Sequence, residues 1–244
     1  MQSQFKINLI LLSLALFGAN GLEAAEWNQY HGANSDNKAQ ETLASAAWLN
    51  KTSSQAWKTA TPLGFSSFSV SGGRAFTLVG RTDEDGLKQE FCLALDVKTG
   101  QEVWAAKLDR LDFGRGGGDS GASDNKGGDG PRSTPSAADG KVWVYDADMN
   151  LYCFDASNGK EIWKVSVVKE YSGTPIKWDN ASAPLLEGNK VIVYGGGAGQ
   201  TFLAFERSTG KTIWKSCDET ITHATPIAAT IHGLRQILFF CVSG

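Results

Sequence analysis

The strongest constraint on this chain is a hexad written three times: Thr99-Gly-Gln-Glu-Val-Trp104, Asn158-Gly-Lys-Glu-Ile-Trp163 and Thr209-Gly-Lys-Thr-Ile-Trp214. The tryptophans stand 59 and 51 residues apart. That is the scale of one four-stranded unit with its loops, and recurrence on that scale marks propellers and other repeat arrays. Upstream of each hexad lies a short apolar run closed by an acid: Phe91-Cys-Leu-Ala-Leu-Asp96, Leu151-Tyr-Cys-Phe-Asp155 and Phe202-Leu-Ala-Phe-Glu206. A second run precedes it, Arg74-Ala-Phe-Thr-Leu-Val79, Lys141-Val-Trp-Val-Tyr145 and Lys190-Val-Ile-Val-Tyr194, each entered through a Gly turn. Earlier still come Arg132-Ser-Thr-Pro-Ser136, Ala181-Ser-Ala-Pro-Leu185 and His223-Ala-Thr-Pro-Ile227, with Phe65-Ser-Ser-Phe-Ser69 in the same place of the first unit. Proline donates nothing to a ladder, which suits the first residue of a strand or an edge.

The runs are short, rich in β-branched and aromatic residues and bounded by Gly, Asn and Asp, so they read as strands. No long segment after residue 30 has helical periodicity. In the hexad turn an acid and a hydroxyl bond the turn amides, Gly supplies positive φ, and Trp returns to the sheet. A large ring at the same place in every unit packs between neighbouring sheets. The structural residues of the repeat are therefore Gly100, Trp104, Gly159, Trp163, Gly210 and Trp214. The expected fold is all-β: a β-propeller of four-stranded antiparallel blades, present as about three and a half blades. The units lie near 65–108, 131–168 and 180–217, with a partial one at 222–244. A fourth Trp falls due about 255 by the same spacing, so the chain is expected to be the N-terminal portion of a longer one. Residues 26–64 form an N-terminal segment in which Trp48 and Trp57 are candidates to supply a strand to the last blade.

These residues resemble the PQQ-like β-propeller repeat family, whose blades carry Ala-x-Asp-x-x-Thr-Gly-x-x-x-Trp. The group includes quinoprotein dehydrogenases and the BamB-like lipoprotein scaffold of outer-membrane assembly. The opening Trp27-Asn-Gln-Tyr-His-Gly32, with Asp129-Gly-Pro-Arg-Ser-Thr-Pro135 and Gly195-Gly-Gly-Ala-Gly199, is similar to secreted bacterial members. The resemblance covers roughly residues 26 to 244; the repeat motif builds blades and not sites.

Residues 1–25 are set apart as a signal peptide: Lys6, an apolar run from Ile7 to Phe17, then small residues, with cleavage expected after Ala25 and Gly21 as the alternative. The apolar core is too short to span a membrane comfortably, so no stable anchor is expected after cleavage. No Cys follows the run, which leaves a lipoprotein attachment unsupported. The expected location is periplasmic or secreted. A net charge of −3 without clustered Lys or Arg speaks against nucleic acid as a partner. Four cysteines, Cys92, Cys153, Cys217 and Cys241, include two inside blade strands, which favours unpaired core cysteines over disulfides.

Candidate sites are few. The insertion 109–130 holds eight Gly and five Asp; calcium is one reading and a solvated loop the favoured one, because the spacing fits no known calcium repeat. Asp146-Ala-Asp-Met-Asn150 imitates an EF-hand start but has Leu151 at position six and Ser157 at twelve, so it reads as a polar turn. Gly195 to Gly199 follows a strand as a phosphate loop would, but another strand comes next, which leaves a hairpin loop. His31, His223 and His232 form no zinc pair, and His223 stands near a strand start that can face the central channel.

In quinoprotein dehydrogenases the resemblance implies PQQ in the channel, between a Trp and a vicinal disulfide, with calcium and an Asp base. This chain has no adjacent cysteines, and no residue matches the base or the calcium ligands; Arg132 and Trp143 are the nearest chemical types. No catalytic assignment follows. The favoured function is an exported, non-catalytic binding or protein-interaction scaffold for a protein or extracellular ligand. The alternative is a PQQ-dependent dehydrogenase of an alcohol or sugar, with PQQ and calcium as cofactors.

Overall fold

The computed structural model describes residues 26–39, 55–110, 130–176 and 179–243. The signal segment, Trp48 and nearly all of the Gly/Asp insertion with its calcium reading lie outside these residues. The described chain is all-β apart from one short helix.

Three antiparallel four-stranded sheets follow one another, each wound in chain order. The first holds β1 (Ser69–Ser71), β2 (Arg74–Thr82), β3 (Lys88–Asp96) and β4 (Glu102–Arg110). The second holds β5 (Ser136–Ala138), β6 (Lys141–Tyr145), β7 (Asn150–Asp155) and β8 (Glu161–Ser166), after which comes α1 (Val167–Glu170). The third holds β9 (Leu185–Glu187), β10 (Lys190–Tyr194), β11 (Phe202–Glu206) and β12 (Thr212–Ser216), and a hairpin of β13 (Ile227–Ile231) and β14 (Leu234–Leu238) follows.

The middle strands are apolar at successive positions because both faces of a sheet are covered. On β6, Val142 and Val144 pack with Phe76, Cys92 and Trp104 of the first sheet. Their neighbours Trp143 and Tyr145 pack with Val191, Leu203 and Phe205 of the third. The third sheet in turn sends Ile192 and Ala204 toward Ala228, Ile237 and Phe239 at the final hairpin. Period-2 alternation thus divides each run between two cores. Cys92, Cys153 and Cys241 are buried and all four cysteines are free, but Cys217 departs from the expected core placement and is exposed.

The hexad has a specific job in this stacking. Asp96 Oδ1 accepts hydrogen bonds from the amides of Lys98 and Thr99, both at 3.0 Å, and Asp155 Oδ1 accepts from Ser157 N at 2.8 Å. The chain then re-enters through a bulge at the same step in every sheet, beside Ala94, Cys153 and Ala204, which pair with Trp104, Trp163 and Trp214. The extra residue is the aliphatic one before each Trp. Val103, Ile162 and Ile213 are accordingly 42%, 44% and 41% exposed, so the conspicuous aliphatic of the motif is not core.

Each bulge aims its Trp at the next sheet. Trp104 Nε1 donates to Ala156 O at 3.0 Å and Trp163 Nε1 to Arg207 O at 3.1 Å, in each case the carbonyl just past the acid of the next unit. The rings lie over Gly159 and Gly210 of those turns. Trp57 repeats the arrangement one unit earlier: its Nε1 donates to Val97 O at 2.9 Å, its ring lies over Gly100, and Thr59 Oγ1 donates to Gly100 O at 2.6 Å. In its contacts, Trp57 is the outer-strand tryptophan of a unit preceding the first sheet.

Candidate functional site

The first strands of the sheets meet around residues 27–29. Trp27 exchanges backbone hydrogen bonds with Val70 of β1 at 2.9 and 2.8 Å. Asn28 O accepts from Ala137 N of β5 at 2.7 Å, and Gln29 Oε1 accepts from Leu186 N of β9 at 2.8 Å. Three residues in sequence therefore engage three sheets in turn, and the segment runs across the first strands of the units.

Beside this crossing lies a cleft of about 390 Å³. Tyr30 and His31 come from the crossing segment, and the rest comes from the residues ahead of each first strand: Phe65, then Arg132 and Thr134, then Ala181 and Ala183, then His223, Ala224 and Thr225. The repeat itself builds this wall, because corresponding positions of successive units stand side by side. Hydroxyls lock them: Thr134 Oγ1 accepts from Ser67 N at 3.1 Å, and Thr225 Oγ1 accepts from Ala183 N at 2.9 Å. These acceptors and donors occupy the same repeat position in neighbouring units. The Arg132 guanidinium stands 5.4 Å above the Phe65 ring, a favourable cation–π arrangement. The Tyr30 and His31 rings meet edge-on at 4.0 Å, and His31 Nδ1 is 2.7 Å from Asn37 Oδ1.

The cleft thus gathers His31, Arg132 and His223, which are far apart in sequence, together with Tyr30, Phe65 and two threonines that sequence reasoning did not single out as site residues. The threonines recur just before Pro135 and Pro226, Phe65 opens the matching segment of the first unit, and Tyr30 belongs to the opening Trp27-Asn-Gln-Tyr-His-Gly32. Trp143 is not brought to Arg132. It is fully buried between the second and third sheets, donates to Arg207 O at 3.2 Å and carries the Arg207 guanidinium 4.5 Å over its ring. His232 lies in the β13–β14 turn.

A second polar cluster joins three sheets. Glu90 on β3 is buried, with Oε2 accepting from Ala147 N at 3.1 Å and Oε1 without a hydrogen-bond partner among the described residues. Asp146 accepts from Asn150 N at 2.7 Å and from Asn150 Nδ2 at 3.0 Å, so the EF-hand imitation is the β6–β7 turn held by its own carboxylate. Asn180, ahead of β9, donates to the carbonyls of Tyr145 and Asp146, each at 3.1 Å. Burial, reinforced by the charge of Asp146, pushes the Glu90 carboxyl well up. Burial raises Asp146 to about 7, against the lowering effect of its Asn150 bonds. Among the described residues no set of three or more His, Cys, Asp and Glu is arranged to hold a metal ion. The Gly195 to Gly199 stretch is the β10–β11 loop, closed by Gly195 N donating to Thr201 O at 2.9 Å.

Fitting PQQ with its calcium to this cleft requires carboxylate or carbonyl oxygens for the metal. Among the described residues, the side chains lining the cleft are cationic, aromatic, imidazole, hydroxyl and methyl groups, with no carboxylate. That donor set does not fit the calcium of such a cofactor.

The family described as outer membrane protein assembly factor BamB matches residues 89–242. Among solved structures, quinohemoprotein alcohol dehydrogenase from Comamonas testosteroni is 21% identical with a TM-score of 0.58, over 83% of this chain and 28% of that one. BamB from Moraxella catarrhalis is 16% identical with a TM-score of 0.41, over 65% of this chain and 41% of that one. The chain spans less than a third of the dehydrogenase's length, and identity at this level speaks to fold alone. No curated protein matches the chain. Among the described residues no helix is long and apolar enough to cross a membrane.

Proposed function

This chain belongs to the PQQ-like repeat family described as outer membrane protein assembly factor BamB, and from that premise we propose that it is an exported, non-catalytic binding scaffold. The cleft beside residues 27–31 receives an acidic group of a protein or extracellular ligand. The observation that carries the proposal is the lining of the cleft: Arg132, His31 and His223 with Tyr30 and Phe65, and no carboxylate among the described residues. A cation stacked on a ring beside hydroxyls complements an anionic group. Reaction chemistry needs more, namely a positioned base or a nucleophile paired with one; among the described residues the cleft lining offers imidazoles but no Ser–His or Cys–His pair.

The reading is tested in two ways. Mature protein supplied with PQQ and calcium is expected to leave an artificial electron acceptor oxidised in the presence of alcohols or sugars; turnover would establish the dehydrogenase instead. Thermal shifts with small carboxylates and acidic peptides are expected to show stabilisation that Arg132→Ala abolishes while leaving the unliganded midpoint close to wild type. Stabilisation by a ligand follows mass action and grows with its concentration above Kd. Equal shifts in both proteins would remove the cleft from the proposal.

A further inference from the structure

The segment that presents Tyr30 and His31 to the cleft holds a backbone conformation that side chains ordinarily avoid. His31, Ser35 and Asn37 have φ of 68°, 55° and 57°, all in the left-handed region. The turn is closed twice by one residue: Asn37 N donates to His31 O at 2.9 Å, and Asn37 Oδ1 lies 2.7 Å from His31 Nδ1. Gly32 is buried beneath the Trp27 ring, and a Cβ on it would meet Trp27 Cη2 at 3.2 Å. Unfavourable backbone of this kind persists where surrounding contacts over-determine it, and it gathers at binding sites. What this turn fixes is the His31 imidazole. An amide oxygen only accepts, so the Asn37 contact places the imidazole hydrogen on Nδ1. The neutral ring then keeps its lone pair on Nε2, the nitrogen that Asn37 leaves to the cleft. A bare carboxylate is repelled by that lone pair, whereas a hydroxyl donates to it. Arg132 supplies the cation for a carboxylate in the same cleft. Tyr30 and Phe65, 39% and 49% exposed, offer apolar ring surface there. The volume of about 390 Å³ has the scale of a small-molecule site.

We propose that the ligand of this cleft is a hydroxy acid with an apolar face, the chemistry of a uronic acid sugar. Its carboxylate meets Arg132, a hydroxyl donates to His31 Nε2, and its C–H face lies against the exposed aromatic rings. This assignment rests on the reading of the cleft as an acid-binding site and narrows it. Acidic peptides are the competing class. An aspartyl or glutamyl side chain carries no hydroxyl beside its carboxylate, so it leaves the Nε2 lone pair unsatisfied, and a site built to accept from a hydroxyl disfavours a ligand that lacks one. Asn37 is a positioning residue, because it decides which nitrogen of His31 carries the hydrogen.

The test is calorimetric titration of the purified protein at about pH 8, above the range in which imidazole ordinarily takes its second proton. The probes are glucuronate, cyclohexanecarboxylate, glucose and a blocked aspartyl peptide. Glucuronate is expected to bind roughly tenfold tighter than cyclohexanecarboxylate, which has the ring and the carboxylate but no hydroxyl, on the order of one hydrogen bond. Glucose and the peptide should also bind more weakly than glucuronate. In Asn37→Ala the glucuronate preference should shrink toward one while the cyclohexanecarboxylate Kd holds, a change that a loosened fold would not produce. Nitrogen NMR of the free protein at the same pH should show the His31 hydrogen on Nδ1. A hydrogen on Nε2, or glucuronate binding no tighter than cyclohexanecarboxylate or the peptide, would overturn the hydroxy-acid assignment, and Arg132-dependent binding of those carboxylates would leave the acid-binding cleft standing. Glucose binding as tightly as glucuronate, or no binding of any probe, would overturn both.

Discussion

At the scale of single residues, the glycines of the repeat divide into two physical classes. Gly140, in the β5–β6 turn, has φ 71° and open space where a Cβ would stand. Gly159 has φ 73°, and a Cβ there would fall 2.7 Å from Trp104 Cε3. Alanine at either position meets the same left-handed penalty, on the order of 1–2 kcal/mol. Only at Gly159 must it also displace a ring that anchors one sheet to the next, adding about 1–3 kcal/mol. Gly159→Ala is therefore expected to unfold at distinctly lower denaturant than Gly140→Ala. Equal midpoints would show that Gly159 serves its turn and not the ring above it. The sequence displayed both glycines, but only the neighbouring sheet separates their roles. The cleft was legible only in part for the same reason: Arg132 and His223 open the recurring segments before Pro135 and Pro226 and Tyr30 stands in the opening motif, but only the stacking of successive units brings them to one wall.

At the scale of elements, the recurrent hexad was legible because its physics is local: an acid, a turn glycine and a tryptophan within a dozen residues. Its bulge was not, since the sequence does not say which residue of Val103-Trp104 the sheet leaves unpaired. The structure exposes Val103 and buries Trp104, so adjacent apolar residues should respond very differently. Val103→Thr is expected to change stability by no more than about 0.5 kcal/mol, whereas Trp104→Ala should cost about 3–5 kcal/mol. Comparable losses in chemical denaturation would mean that the aliphatic residue is packed after all. In the sequence Trp57, with Trp48, is a candidate to supply a strand to the last blade. Its bond to Val97 O and its place over Gly100 make it one more member of the series formed by Trp104 and Trp163. The signal was faint because Trp57 follows Gln55-Ala56 and lacks the Gly four residues before it that marks the others.

At the scale of the whole molecule, the buried carboxyls matter most because they sit where three sheets converge: Glu90 from the first, Asp146 from the second, and Asn180 leading into the third. Nothing in the sequence advertises this, since Glu90 precedes a strand run that reads as ordinary and Asp146 reads as a turn residue. In the folded protein both carboxyls titrate above their ordinary values of 4.5 and 3.8, with Asp146 at about 7 and Glu90 raised chiefly by its own burial. The folded state therefore holds more protons than the unfolded chain between about pH 4 and pH 7, and stability falls as pH rises through that interval. Exposed carboxylates such as Asp96 and Asp155, lowered chiefly by hydrogen bonds to the amide of Lys98 and to Ser157, pull the other way, but only at more acidic pH. Glu90→Gln keeps an acceptor for Ala147 N while removing the charge that meets Asp146. Melting curves taken from about pH 5 to about pH 8 should decline for the wild type and flatten in this variant, leaving it the more stable protein at the alkaline end. Parallel curves for the two proteins would mean that Glu90 is not held protonated at the junction, and that the three sheets are joined there by hydrogen bonds alone.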